Sequence, residues 1–200
     1  MILIPGFVYD AQAILGLGDP NNEPLPDPLP GEVVIRVPKM SFADLCACDD
    51  KLVSDRILEE MDELDKEDDN EEYRLQNEGM HIFDYQEVSR GLHDSCVRWK
   101  KPAGVYRVRY IPGSSGKSLR KQRKLLLPDE KNTPLVITAA ILACHLKVTG
   151  QDLLEGQFIR CDETPTDQFL IDVFLRTVYV EIDDDQSSPK ICFSGCRKIL

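Results

Sequence analysis

No apolar run in this 200-residue chain approaches the roughly 20 residues that a membrane-spanning helix needs, so a membrane role is not expected. Histidine is scarce. There are three, His81, His93 and His145, and His81 or His145 could serve an enzyme by pairing in space with a cysteine distant in sequence. The patterns HExxH, GxSxG and GxGxxG are all missing, and with them the usual signs of zinc proteases, serine-elbow hydrolases and dinucleotide enzymes. An even framework of cysteines is missing too. Seven are scattered through apolar segments (Cys46, Cys48, Cys96, Cys144, Cys161, Cys192 and Cys196), the usage of reduced core thiols rather than of disulfides. The apolar stretch Met1 to Gly18 lacks a basic start and is interrupted by Pro5 and Asp10, so a secretory leader is not expected and a cytoplasmic location is. Finally, cations are in deficit. Lys and Arg total 24 against 35 Asp and Glu, a net charge of -11, which argues against nonspecific coating of nucleic acid or membrane by the whole protein.

What is present is a sorting of charge. From Arg98 to Lys124 there are ten basic residues and no acid, whereas acids dominate from Asp49 to Glu72. Such sorting marks either a contact surface for something anionic or a fold that docks its own opposite charges. The run Lys117 to Lys124 (KSLRKQRK) places Lys117, Arg120, Lys121 and Lys124 on one face if it is helical. With Arg107, Arg109 and Arg123 these cations could track a phosphate backbone. Trp99, Tyr106 and Tyr110 lie close enough in sequence to stack on bases, although Tyr106 and Tyr110 alternate with the arginines and so point toward a core.

The local signals are mixed. Glu32 to Val37 (EVVIRV) reads as a strand after a proline-rich connector, residues 19–31. Ser41 and Asp44 form a capping signal for a helix running to Leu64, with Val53, Ile57, Met61 and Leu64 on one face. Asp65 to Asn77 is the best internal boundary in what is otherwise read as a single domain over 1–200. Met80 to Cys96 reads as a short helix, and Cys96 to Lys100 with Val105 to Ile111 as a hairpin. The clearest helix is Thr133 to Gly150. Thr133 is expected to cap it, Pro134 to fill its first turn, and Ile137, Ala140, Ile141, Cys144 and Val148 to form a buried stripe. Strands follow at residues 157–161, 169–175, 178–182 and 190–193. Local strand–turn–strand signals outnumber strand–helix alternation, which predicts an α+β fold with a mostly antiparallel sheet on two or three helices.

Three chemistries are weighed and set aside. Gly113 to Ser118 (GSSGKS) has two residues between its glycines where a phosphate-binding P-loop needs four, so it reads as a turn. Cys192 and Cys196 have a spacing that zinc accepts, but Cys46 and Cys48 on a helix diverge, and no metal or other cofactor is expected. His93-Asp94-Ser95-Cys96 has catalytic residue types, but neighbours in sequence rarely face one another. The expectation is a non-enzymatic accessory subunit whose basic segment, residues 98–124, contacts RNA, DNA or an acidic protein surface. The alternatives are an acidic nucleic-acid mimic acting through Glu59, Glu60, Asp62 and Glu63, and a small Cys/His-dependent enzyme.

Overall fold

The computed structural model of the protein describes residues 6–19, 23–46, 100–154, 156–162, 168–174, 177–182 and 188–200. Within them the chain runs β1 (Phe7–Asp10), α1 (Ala11–Leu15), β2 (Glu32–Val37), α2 (Phe42–Cys46), β3 (Gly104–Tyr110), α3 (Leu119–Arg123), β4 (Lys131–Asn132), α4 (Leu135–Thr149), β5 (Phe158–Asp162), β6 (Gln168–Phe174), β7 (Thr177–Ile182) and β8 (Ile191–Lys198). The acidic segment lies outside these residues, and with it Glu59, Glu60, Asp62 and Glu63, the boundary at 65–77, and the helix expected at 80–96.

The alternation in β2 sets the two faces of the sheet. Val33, Ile35 and Val37 enter the main core beside α4, so Glu32, Val34 and Arg36 lie on the opposite face. In β3, Val108 pairs with Val33 and Tyr106 with Ile35. Arg107 and Arg109 therefore share the far face with Glu32. All six residues of β2 are buried because both faces are covered, one by helices and the other by the proline-rich connector, whose Leu29 N–H bonds Glu32 and whose Glu23 carbonyl accepts from Arg36.

The fold is α+β, but the sheet is mixed rather than mostly antiparallel. Its order is β1-β2-β3-β8-β5-β6-β7, with the short β4 also on β8. β1 lies parallel to β2, and β5 parallel to β8; the other pairings are antiparallel. Both parallel contacts join strands with much intervening chain, α1 and the connector in one case and the β6–β7 pair in the other. Hairpin signals in the sequence report only on neighbours, so they are blind to such crossovers. The described residues contain four helical segments rather than two or three, three of them only five residues long.

Of the hairpin expected from strands 96–100 and 105–111, residues 96–99 lie outside the described residues. One edge of β3 is taken by β2 and the other by β8, while Lys101 bridges to Met40. The strands expected at 169–175 and 178–182 do pair, as β6 and β7, in an antiparallel ladder that ends at Phe174 opposite Thr177.

Helix α4 sits at the centre. Every residue from Leu135 to Leu146 is buried, so it carries no single stripe; it is apolar all round, as an interior helix must be. Val148 departs from the expected stripe and is 60% exposed, because the helix has left the core by its last turn. Thr133 does not cap it. Its hydroxyl shares a 2.7 Å hydrogen bond with Ser194, and the first turn closes on the Pro134 carbonyl instead. Gly150 ends the helix in the left-handed conformation, as the sequence suggests. At α2 the capping box forms: the Ser41 N–H donates to Asp44 at 2.8 Å, and the Asp44 N–H donates to the Ser41 hydroxyl at 3.2 Å.

Candidate anion-binding surface

The basic segment is held against the far face of the sheet. Ile111 leaves β3, and Gly113 and Gly116, both at positive φ (68° and 71°), turn the chain back toward α3. Leu119 and Gln122 point inward at helical spacing, so Arg120, Lys121, Arg123 and Lys124 are left outside. Leu119 joins Ile111 and Phe193 in a second, smaller core, with Leu125 and Leu126 packed on it.

Gln122 is the bolt. Fully buried, it donates from Nε2 to the carbonyls of Ser114 (3.0 Å) and Ile191 (3.3 Å). Its Oε1 accepts from Nη1 of Arg160, also fully buried, at 2.6 Å. The Ser114 hydroxyl accepts from the Phe193 N–H at 3.0 Å. A satisfied network of this kind holds α3 rigidly over β5 and β8, because each buried polar group would cost about 1–3 kcal/mol if left unpaired.

The seven cations singled out by the sequence divide into two sets. Arg107 bonds Glu32 at 2.7 Å and the Asp27 carbonyl at 3.3 Å. Arg109 forks onto Glu130, at 2.8 Å from Nε and 2.5 Å from Nη2. Arg123 reaches Asp162 at 3.3 Å. These three neutralise carboxylates of the protein itself. Lys117, half-buried, donates to the Gly113 carbonyl. Arg120, Lys121 and Lys124 are exposed, and no ion pair joins any of them to a carboxylate among the described residues.

The pairing has an electrostatic cause. Arg107 on β3 stands directly opposite Arg197 on β8, a like-charge register that destabilises a sheet unless it is compensated. Glu32 compensates Arg107, and Asp129 takes Arg197 at 2.6 Å. Burial alone would raise the Glu130 carboxyl, but the hydrogen bonds from Arg109 and from the Leu127 N–H outweigh it and hold the group below the ordinary glutamate range. Glu32, Glu130, Asp162, Gln122 and Arg160 are thus the residues that reasoning from sequence missed. Only Glu32 left a trace: in EVVIRV it shares a face with Arg36, and a charge on a buried strand needs a partner.

The aromatics do not join this surface. Tyr106 is buried on the opposite face and donates its hydroxyl to the Pro102 carbonyl at 2.7 Å. Tyr110 packs against the main core, its hydroxyl enclosed. Trp99 lies outside the described residues.

Elsewhere, chemistry is thinly provided. The Tyr9 hydroxyl and Nδ1 of His145 share a 2.6 Å hydrogen bond, and burial holds the imidazole below its ordinary range. Cys144 is buried beside it, with its thiol pushed above the usual range, and burial pushes the Cys196 thiol up to about 12. Catalytic thiols require the opposite shift. No cluster of three or more metal-ligating side chains occurs among the described residues. Comparison with protein-family models, with curated proteins and with solved structures finds no match to this chain.

Proposed function

We propose that this protein is a non-enzymatic, intracellular accessory subunit that contacts an anionic partner through α3. The observation that carries the reading is the division of the basic run. Arg107, Arg109 and Arg123 are spent on internal carboxylates, whereas Arg120, Lys121 and Lys124 stand exposed without one among the described residues, on a helix pinned by the Gln122 network. In this reading Lys117, Arg120, Lys121 and Lys124 are charge donors, and the three paired arginines hold the platform in shape. No described helix is long and apolar enough to cross a membrane.

The test is charge reversal. The triple variant Arg120→Glu, Lys121→Glu, Lys124→Glu alters exposed positions, so it should melt like the parent while losing its anionic partner. A native mass spectrum of protein purified gently at low salt shows whether extra mass is carried, and whether the triple variant loses it. Partner binding that survives the triple reversal sinks the proposal.

A further inference from the structure

We infer that the partner of the α3 surface is an acidic polypeptide segment carrying an apolar side chain, not a nucleic acid. This inference rests on the reading of α3 given above and narrows it. Single-stranded nucleic acids are gripped by stacking as well as by charge. Tyr106 and Tyr110 pack on the opposite face of the sheet, so neither can serve as a stacking platform beside α3. A duplex gripped by its backbone is held by many phosphate contacts, about 6–10 in a strongly salt-dependent case. Along α3 and the turn before it the described supply is four, Lys117, Arg120, Lys121 and Lys124, because the neighbouring Arg107, Arg109, Arg123 and Arg197 are each bound to a carboxylate. Of those carboxylates Asp162 and Asp129 reach the surface, their side chains 24% and 56% exposed, so a polyanion running past the patch would meet them, on a chain of net charge -11.

A short acidic segment meets none of these objections, and the surface offers it something a phosphate backbone cannot use. Leu127, three residues beyond Lys124, is 46% exposed, one of five large apolar side chains so placed among the described residues. It follows Leu125 and Leu126, which are fixed on the small core, and its own N–H is held by Glu130 at 2.8 Å. An apolar contact beside a cluster of cations suits a peptide with carboxylates and one hydrophobic anchor, the usual composition of a compact interface centre with a charged rim.

Fluorescence anisotropy on the full chain tests this with three labelled probes. They are a short glutamate-rich peptide containing one leucine, its all-glutamate counterpart, and a DNA duplex, all at about 0.15 M salt. Lys121→Glu with Lys124→Glu should weaken both peptides at least about tenfold. The pair Lys121→Arg with Lys124→Arg should retain binding. Leu127→Ser should weaken the leucine peptide about threefold or more and leave the all-glutamate peptide unchanged. A duplex that binds more tightly than either peptide, and loses that binding on charge reversal, overturns the polypeptide inference but keeps the α3 reading. An unchanged leucine peptide in Leu127→Ser also overturns it. If no probe binds, or reversal changes nothing, both readings fall.

Discussion

Gly195 sits in the body of β8, opposite Arg109 on β3 and Asn132 on β4. A β-carbon there would lie 2.5 Å from a Glu130 carboxylate oxygen, 2.7 Å from its Cδ and 3.1 Å from Cδ2 of Leu126. Glycine is therefore what lets the Glu130 carboxylate lie across the strand, and Gly195→Ala must push it off Arg109. The side chains of Glu130 and Arg109 are 4% and 24% exposed, so the pair is neither a surface pair nor a dry one. Breaking a dry pair costs about 3–5 kcal/mol, and discounting for solvent at Arg109 brings this to about 2 kcal/mol. Alanine returns about 0.5–1 kcal/mol over glycine within a strand. The net loss should be about 1–1.5 kcal/mol, read by urea unfolding at pH 7. In a Glu130→Ala background the carboxylate is gone, and Gly195→Ala should be neutral or slightly stabilising. The same loss in both backgrounds would refute the steric argument. Acid offers a second check. The folded carboxyl lies below its ordinary range, so its stabilisation is present at neutral pH and disappears as pH falls through and below the glutamate range. Gly195→Ala should flatten that part of the stability profile.

Other outcomes follow from the same interior. His145 is held below its ordinary range by burial, with Asp152 opposing, so the unfolded chain binds the proton first. Stability should therefore fall as pH drops below about 6.5, and His145→Gln should remove that component in pH-dependent unfolding curves. Tyr9→Phe, which strips the 2.6 Å bond from Nδ1 of His145, should cost about 1–2 kcal/mol at pH 7 in the same assay. Gln122→Leu deletes an acceptor of buried Arg160 and both donors to the Ser114 and Ile191 carbonyls.

Local features were legible in the sequence wherever one element decides them. Alternation in EVVIRV and VYRVRY gave two strands and the correct separation of Tyr106 and Tyr110 from Arg107 and Arg109. Ser41 with Asp44 foretold a capping box, and Gly150 a helix end. What stayed hidden depends on distant chain. The parallel pairings of β1 with β2 and of β5 with β8 leave no mark on either strand alone. Thr133 has the right chemistry for a cap, but Ser194 takes its hydroxyl. Nothing beside Gly195 in sequence shows that it makes room for Glu130 within a strand. At the candidate surface the basic run was visible, but its division was not, because Glu32 and Asp162 approach from far along the chain.

The place of β8 carries a kinetic consequence. Among the described strands, β1, β2 and β3 form one block and β5, β6 and β7 another, and β8 hydrogen-bonds to both. The β6–β7 pair needs only its own short loop and can zip early. Union of the blocks must wait for β3 to find a strand remote in sequence, a slow search of high contact order. Until then β3 and β5 each present an open edge, the kind of edge on which a partly folded chain recruits its neighbours. This protein should therefore be most vulnerable to aggregation while it folds, in the interval before residues 191–198 are in place.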